Sequence, residues 1–279
     1  MHKNDLNKRK TLLKSIRNLN NVTKVNKKVK VICKSCKKEV EIENNIYHIC
    51  PHCYKYLPMS GKDRFNLLLD KGYKIIEFGS EHLNPINFPN YKTTKIKGLK
   101  EAVTIAMGSI EGSNVIIAAL ESQYMMGTLG TFVGEELTKA VEYANKKRLP
   151  LIIVSVSGGA RMQEGIFSLM QMAKVSVALS SFSENGGLYI SLMTNPTMGG
   201  VSASFAAAGD INIAEPGAKI GFAGPRVIKE TLHETLPEEF QSAEKLESLG
   251  FLDMILERKN QREVLGKILR LHRGDYGRI

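Results

Sequence analysis

The sequence predicts an α/β fold with a largely parallel sheet, preceded by a small cysteine module. Beyond residue 100, short apolar runs alternate with segments of helical spacing, as in parallel sheets whose strands are joined by helices. All four cysteines lie between Cys33 and Cys53, and none follows. The 279 residues are 43% hydrophobic, which is enough for one large domain and a small module.

Charge divides the chain in the same place. The net charge of +11 lies within residues 1–62, whereas the remainder carries 24 basic and 24 acidic side chains. We therefore divide the chain into a basic tail (1–30), a cysteine module (31–56) and a main domain (57–279). The tail, with a short helix near 12–19, is interpreted as a solvated segment, and the alternative is an arm that binds polyanions.

Residues 1–30 are basic throughout and lack an apolar core, so we expect no secretory signal there, and we expect no apolar run near the ~18 residues that span a bilayer. The sequence therefore predicts a cytoplasmic protein without a membrane segment.

The elements follow from apolar spacing and turn residues. Runs 103–110 and 114–120 flank Glu111-Gly112-Ser113, which predicts a β-hairpin. Asp70-Lys71-Gly72 ends a short helix before the first strand of the domain. The predicted strands are 73–78, 103–110, 114–120, 151–155, 188–193, 211–214 and 219–222. The predicted helices are 62–69, 135–147, 163–181, 203–208, 229–232, 241–248 and 261–273.

The cysteines predict a zinc ribbon. They form two Cys-x-x-Cys pairs, Cys33/Cys36 and Cys50/Cys53, separated by thirteen residues. Two such turns present four thiolates to one ion, and four soft ligands without an open position favour structural zinc(II). The alternatives are a redox dithiol or two disulfides. His48 or His52 could replace one thiolate, although four cysteines make this unnecessary.

Two glycine-containing loops are the candidate active site. The first loop, residues 155–165 with Gly158-Gly159 in it, follows one predicted strand, and the second, residues 194–202 with Gly199-Gly200 in it, follows the next. A strand end, a Gly-Gly turn and a helix start expose backbone N–H groups, which can bind a developing oxyanion. The alternative is that paired glycines merely form tight turns. No histidine or cysteine lies in either loop, which argues against Ser-His or Cys-His nucleophilic catalysis.

Several segments taken together resemble a known family. The cysteine ribbon, the run from Ser157 to Glu164 and the run from Pro196 to Phe205 are similar to the carboxyltransferase β subunits of bacterial acetyl-CoA carboxylase. Segments 168–174, 212–216 and 220–228 continue the likeness, which excludes only the basic tail.

The resemblance implies a crotonase-like spiral of ββα units. It implies transfer of CO2 from biotin, supplied on biotin carboxyl carrier protein and loaded by biotin carboxylase, to the CoA thioester acetyl-CoA. The product would be malonyl-CoA, and the active site would lie between this chain and an α subunit in an α2β2 assembly.

The resemblance also assigns residues. Gly199 and Gly200 would supply backbone N–H groups to an oxyanion hole. The CoA or biotin side would be lined by Gly158, Gly159, Ala160, Arg161 and Arg226. Either arginine could meet CoA phosphates or pair with glutamates.

Two rival functions remain at this stage. Another crotonase-type enzyme would need acid–base carboxylates or a second domain. A nucleic-acid-binding protein would use the ribbon and the basic tail, but it would leave the neutral main domain without a role. A weak nucleic-acid contact through the basic head, residues 1–62, is compatible with the carboxyltransferase function.

Overall fold

The computed structural model describes residues 30–91, 96, 98–232, 236–237 and 239–272, without the side chains of 225, 226 and 232. The chain divides into two compact units, one ending at Leu57 and the other spanning Pro58–Ile279. Residues 1–29 of the basic tail, with the predicted helix at 12–19, lie outside the described residues, whereas Lys30 begins the first strand.

The first unit contains a two-stranded antiparallel sheet of β1 (Lys30–Ile32) and β2 (Glu39–Glu41). Its small core consists of Cys33, Val40, Cys50 and Leu57. With so few apolar side chains, such a module depends on a further cross-link, which the cysteines can supply through a metal.

The second unit is built on an eight-stranded sheet. In chain order its strands are β3 (Lys74–Ile76), β4 (Val103–Ile110), β5 (Ser113–Leu120), β6 (Leu151–Ser157), β7 (Tyr189–Met198), β8 (Ile211–Ala214), β9 (Ile220–Gly221) and β10 (Met254–Ile255). The spatial order is β10-β8-β7-β6-β5-β4-β3, with β9 also paired to β7. The pairs from β5 to β10 are parallel, whereas β3, β4 and β5 pair antiparallel. The predicted α/β class is therefore confirmed.

Six helices accompany the sheet in the described part of the chain. They are α1 (Gly61–Leu68), α2 (Thr131–Lys147), α3 (Ile166–Glu184), α4 (Pro225–Leu232), α5 (Ala243–Ser248) and α6 (Arg258–His272). Apolar residues of α2 and α3 share one core cluster with the sheet, and those of α1 and α6 share another. The sheet strands β5 and β6 contribute to both clusters, because successive side chains of a strand point to opposite faces.

Local sequence explains the hairpin that opens the main sheet. Glu111 and Gly112 have φ values of +48° and +79°, the left-handed backbone that a tight hairpin turn requires. All eight residues from Val103 to Ile110 pair with the eight from Ser113 to Leu120. The predicted hairpin is confirmed, and α2 follows it to complete a ββα unit.

The predicted helix at 203–208 is wrong. Only a 3₁₀ turn forms, at Phe205–Ala207, and Ser204 before it has non-helical φ and ψ of −130° and −116°. The hydroxyls of Tyr189 and Ser191 donate to the carbonyls of Phe205 and Ala206, which fixes this segment against β7 in a non-helical path. The two-residue strand β10 has no counterpart among the predicted elements, because so short a run carries no periodicity.

Helix α3 also differs from expectation. It starts at Ile166, later than predicted, because Met162–Glu164 form a separate 3₁₀ turn and Gly165 has φ +55°. With 19 residues it is long and apolar enough, by length and composition alone, to cross a membrane, which the sequence analysis did not foresee. Five of its side chains are buried in this unit, whereas Ile166, Leu169, Met170 and Val177 are exposed.

Candidate active site and metal site

The first glycine loop leaves β6 at Ser157 and uses most of its N–H groups internally. Gly158 donates its N–H to the carbonyl of Met126 at 3.0 Å, and Gly159 donates to Ser157 Oγ at 3.0 Å. Leu129 pairs with the loop on both sides of Ala160, since its N–H donates to Gly159 O and its carbonyl accepts from Arg161 N. Within the described part of the chain, the N–H of Ala160 has no acceptor.

The second loop leaves β7 at Met198. Gly199 donates its N–H to the carbonyl of Gly221 at 2.9 Å, so this group is already used. Ala203 N donates to Gly199 O at 3.1 Å and closes one helical turn. The N–H groups of Gly200, Val201 and Ser202 in this turn have no acceptor among the described residues, as at a helix N-terminus.

The two loops meet backbone to backbone. Gly159 has φ +112° and Gly199 has φ +63°. A Cβ on Gly199 would lie 3.0 Å from Gly159 Cα, and one on Gly159 would lie 3.7 Å from Gly200 N. The glycines therefore allow an approach that side chains would block, and they bring the free N–H of Gly200 next to the loop that carries the free N–H of Ala160.

Neither loop leads directly into the start of a long helix, contrary to the prediction. Helix α3 begins at Ile166, beyond a 3₁₀ turn, and the second loop opens a single turn. The N–H groups at the site are consequently those of the loops themselves. These N–H groups could bind an oxyanion through local hydrogen bonds, without a contribution from the dipole of a long helix.

Arg161 has no exposed surface. Its guanidinium pairs with Glu101 and Glu164, so of the two roles considered from sequence, the structure shows pairing with glutamates. Glu164 is buried as well. It accepts a hydrogen bond from Thr131 N and so caps α2, not the helix α3 that follows Glu164 in the chain. Arg226 lies in α4, and its side chain is outside the described residues.

Sequence reasoning missed the partners of Arg161. Tyr91, Glu101 and Thr128 lie 70, 60 and 33 residues before it, and each contacts its guanidinium. No local motif marks such distant residues, and only an unpaired charge in an apolar surrounding could have indicated that counter-ions exist.

The cysteines form a separate candidate metal site. All four Sγ atoms lie within 4.8 Å of one another, and the pairs Cys33–Cys53 and Cys36–Cys50 are 3.6 Å apart. Thiolates around a tetrahedral zinc ion at ~2.3 Å are about 3.8 Å apart. The four cysteines, without His48 or His52, therefore fit a tetrahedral ion.

The two cysteine turns have the same hydrogen bonds, 17 residues apart. Cys33 O accepts from Lys37 N and Cys33 N donates to Lys38 O, while Cys50 bonds in the same way to Tyr54 and Lys55. The N–H of Cys36 donates to the Cys33 sulfur and is the main reason that the pKa of the Cys33 thiol is lowered to about 6. This favours the Cys33 thiolate, the form that binds a metal. The N–H of Lys38 acts in the same direction on Cys36, but burial and the neighbouring cysteine thiols outweigh it and raise the pKa of the Cys36 thiol to about 11.

A mainly parallel sheet flanked by helices, with glycine loops at the ends of two neighbouring strands, matches the fold of carboxyl transferases that act on acyl-CoA. The carboxyl transferase domain family matches residues 66–255, and the chain belongs to this family. It is 48% identical, over 252 residues, to the acetyl-coenzyme A carboxylase carboxyl transferase subunit beta of Clostridioides difficile strain 630. That alignment covers 86% of this chain and 88% of the relative.

Solved structures show the same fold. A transcarboxylase 12S with methylmalonyl-coenzyme A bound has a TM-score of 0.63 at 25% identity, covering 76% of this chain and 41% of that one. A Pseudomonas malonate decarboxylase hetero-dimer has a TM-score of 0.60 at 20% identity, covering 76% and 86%. The β subunit of P. aeruginosa geranyl-CoA carboxylase has a TM-score of 0.60 at 19% identity, covering 77% and 39%.

Proposed function

We propose that this chain is the β subunit of an acetyl-CoA carboxylase carboxyltransferase, acting in the cytoplasm with an α subunit. It would transfer a carboxyl group to acetyl-CoA and form malonyl-CoA for fatty acid synthesis. One observation carries the proposal: two touching loops hold unused N–H groups at Ala160 and Gly200, with no histidine or cysteine in either loop.

The reaction needs what these loops offer. Carboxylation of acetyl-CoA passes through an enolate, whose negative charge lies on the thioester oxygen. N–H groups of Ala160 and Gly200 would donate to that oxygen as the methyl proton leaves and as the new C–C bond to CO2 forms. Biotin, carried on the biotin carboxyl carrier protein and loaded by biotin carboxylase, supplies the carboxyl group and the base. The chain itself then needs to bind and orient the thioester.

A partner subunit is supported by the surface beside the loops. We call the exposed apolar side chains Met126, Met162 and Phe222, which adjoin the loops along the chain or through hydrogen bonds, the apolar rim. The carbonyl of Met126 accepts from Gly158 N, Met162 directly follows Arg161, and Phe222 follows Gly221, whose carbonyl accepts from Gly199 N. Several exposed apolar side chains beside a candidate site favour a protein interface there. An α subunit on this rim would exclude water and add the oxyanion hole for biotin.

We further propose zinc(II) as the ion in the four-cysteine site. Its role is structural, because four thiolates leave no position open for a substrate. The basic head gives weaker support for nucleic-acid binding. Described residues 30–57 carry five lysines against three glutamates, and most of the excess charge lies in residues 1–29, outside the described residues. Contact with nucleic acid therefore stays a prediction.

The reverse reaction tests the function. The chain alone, and the chain mixed with its α subunit, would be assayed for decarboxylation of malonyl-CoA that depends on added biotin. We expect activity only in the mixture. Activity of the chain alone would indicate a self-sufficient crotonase-type enzyme. A zinc-loaded, co-purifying mixture without activity would contradict the proposal.

The N–H of Gly200 can be tested with a matched pair of variants. Gly200→Ala and Gly200→Pro both add a Cβ, which meets only the flexible side chain of Met172 at 2.5 Å. Only proline removes the N–H. Loss of one oxyanion-hole donor costs about 10²–10³ in kcat, so we expect that difference between the two variants. Equal activity of both would exclude Gly200 as a donor.

A further inference from the structure

We propose that Arg161 is a positioning residue, which holds the Ala160 N–H in place and does not touch CoA. The inference rests on the proposed function, because it assigns a role in the same oxyanion hole. It starts from a side chain that the family resemblance places on the CoA or biotin side and that the structure buries completely.

The guanidinium of Arg161 has no donor left for a ligand. Its Nε donates to Thr128 Oγ1 at 3.2 Å, and one terminal nitrogen donates to Tyr91 Oη at 3.1 Å and Glu164 Oε1 at 3.3 Å. The other donates to Glu101 Oε1 and to Thr128 O, the latter at 2.9 Å. Arginine has five N–H groups, and these five bonds use all of them.

The same bonds reach Ala160 through one neighbour. Thr128 accepts two of the five, so the segment that contains Leu129 is tied to the guanidinium. Leu129 in turn donates to Gly159 O at 2.9 Å and accepts from Arg161 N at 2.8 Å. These bonds fix the peptide groups on both sides of Ala160, and they leave its N–H as the group that points away from Leu129.

The acidic partners extend the network to a second element. Glu164 accepts from Tyr91 Oη at 2.7 Å and from Thr131 N at 2.5 Å, at the start of α2. Gly130, which precedes α2, offers no side-chain cap, so Glu164 supplies it. Glu101 lies 3.1 Å from His82 Nε2 as well as against the guanidinium. Arg161 therefore joins the start of α2, the 128–129 segment and the glycine loop into one rigid unit.

Positioning and phosphate binding predict different kinetics. If Arg161 positions a donor, its loss lowers kcat and leaves the KM for the thioester nearly unchanged. If it bound CoA phosphates, its loss would raise KM, and the effect would disappear with malonyl-pantetheine, which lacks the nucleotide. If Arg161 only stabilised the fold, substitution of another buried arginine that pairs with a glutamate would lower activity in the same way.

The experiment uses the complex with the α subunit. Arg161→Met and Arg161→Lys would be assayed with malonyl-CoA and with malonyl-pantetheine in the biotin-dependent decarboxylation. Arg258→Lys is the matched control, because Arg258 is also buried and also bonded to a glutamate, Glu215, away from the loops. Lysine at 161 keeps the charge but cannot make both bonds to Thr128, so it tests the geometry in a variant that is easier to fold.

We expect Arg161→Met to lower kcat about 10²-fold, as loss of a donor does. The loss should be equal for both thioesters, smaller in Arg161→Lys and absent in Arg258→Lys. Hydrogen exchange of the 158–161 amides should quicken in the two Arg161 variants alone. A loss confined to KM with malonyl-CoA, or an equal kcat loss in Arg258→Lys, would overturn the inference. An inactive wild-type complex would instead contradict the proposed function, and unchanged exchange would then overturn the positioning role.

Discussion

Replacing Gly199 by alanine tests the contact between the two loops. The new Cβ would lie 3.0 Å from Gly159 Cα, closer than the 3.5–4.0 Å at which carbon atoms pack best. The neighbour is backbone, so it cannot rotate away as a side chain could. The loops must separate, and the N–H groups of Ala160 and Gly200 move with them.

Gly217 provides the control. Its φ of +67° matches the +63° of Gly199, and nothing lies within 4 Å of its added Cβ. Alanine in left-handed backbone costs roughly 1–2 kcal/mol at either position. The variant Gly217→Ala therefore carries the backbone strain without the collision, and the difference between the two variants isolates the separation of the loops.

The expected magnitude follows from the required shift. Relief of the 3.0 Å contact needs a shift of a few tenths of an ångström, and misplacement by 1 Å can cost about 10² in rate. We therefore expect Gly199→Ala to lower kcat about three- to tenfold, while Gly217→Ala keeps the wild-type kcat. Decarboxylation of malonyl-CoA by the complex and thermal melting of each variant would measure this. Equal kcat in both variants, with equal melting temperatures, would refute the reasoning.

Three further outcomes are expected. Burial alone would raise the pKa of Glu215, but Arg64 and Arg258 outweigh it and lower the pKa to about 2 from an ordinary 4.5. The carboxylate thus stabilises the fold by about 3 kcal/mol above pH 4.5, lost as pH falls towards 2. In acid melts, Glu215→Gln should therefore show less loss over this interval than wild type. Burial raises the pKa of the Glu121 carboxyl above its ordinary 4.5. Ionisation of this carboxyl therefore opposes folding as the pH rises above 4.5, so Glu121→Gln should gain melting temperature relative to wild type as the pH is raised from 4.5. Cys36→Ser should lose bound zinc and protection of the amides of residues 30–57 from exchange, while the amides of strands β4 to β7 stay protected.

The elements of the main sheet were predictable because their signals are local. The hairpin at Glu111-Gly112 depends on two residues that favour left-handed backbone, and the buried strand from Leu151 is a continuous apolar run. The segment after Gly200 was not predictable in this way. Its small apolar residues favour a helix, yet the hydroxyls of Tyr189 and Ser191 hold it in another path.

The position of the candidate site in the chain could be predicted from the sequence, but the particular N–H donors could not. The paired glycines located both loops. Which N–H groups stay free depends on acceptors elsewhere in the chain, such as Met126 O for Gly158 and Gly221 O for Gly199. These hydrogen bonds join backbone groups, so they cannot be predicted from the residue types at either end. The sequence therefore favoured Gly199, whose N–H is used, as strongly as Gly200.

The cap that Glu164 places on α2 also bears on how the chain reaches its folded state. During synthesis, Thr131 leaves the ribosome 33 residues before Glu164, at ~5–20 residues per second. Until Glu164 emerges, the start of α2 lacks its acceptor, because Gly130 has no side chain to offer. Helix α2 can therefore pack on the sheet early through its apolar face, but its first turn is capped only after the segment between β6 and α3 has been synthesised. The first glycine loop and the start of this helix are thus completed in the same step of folding.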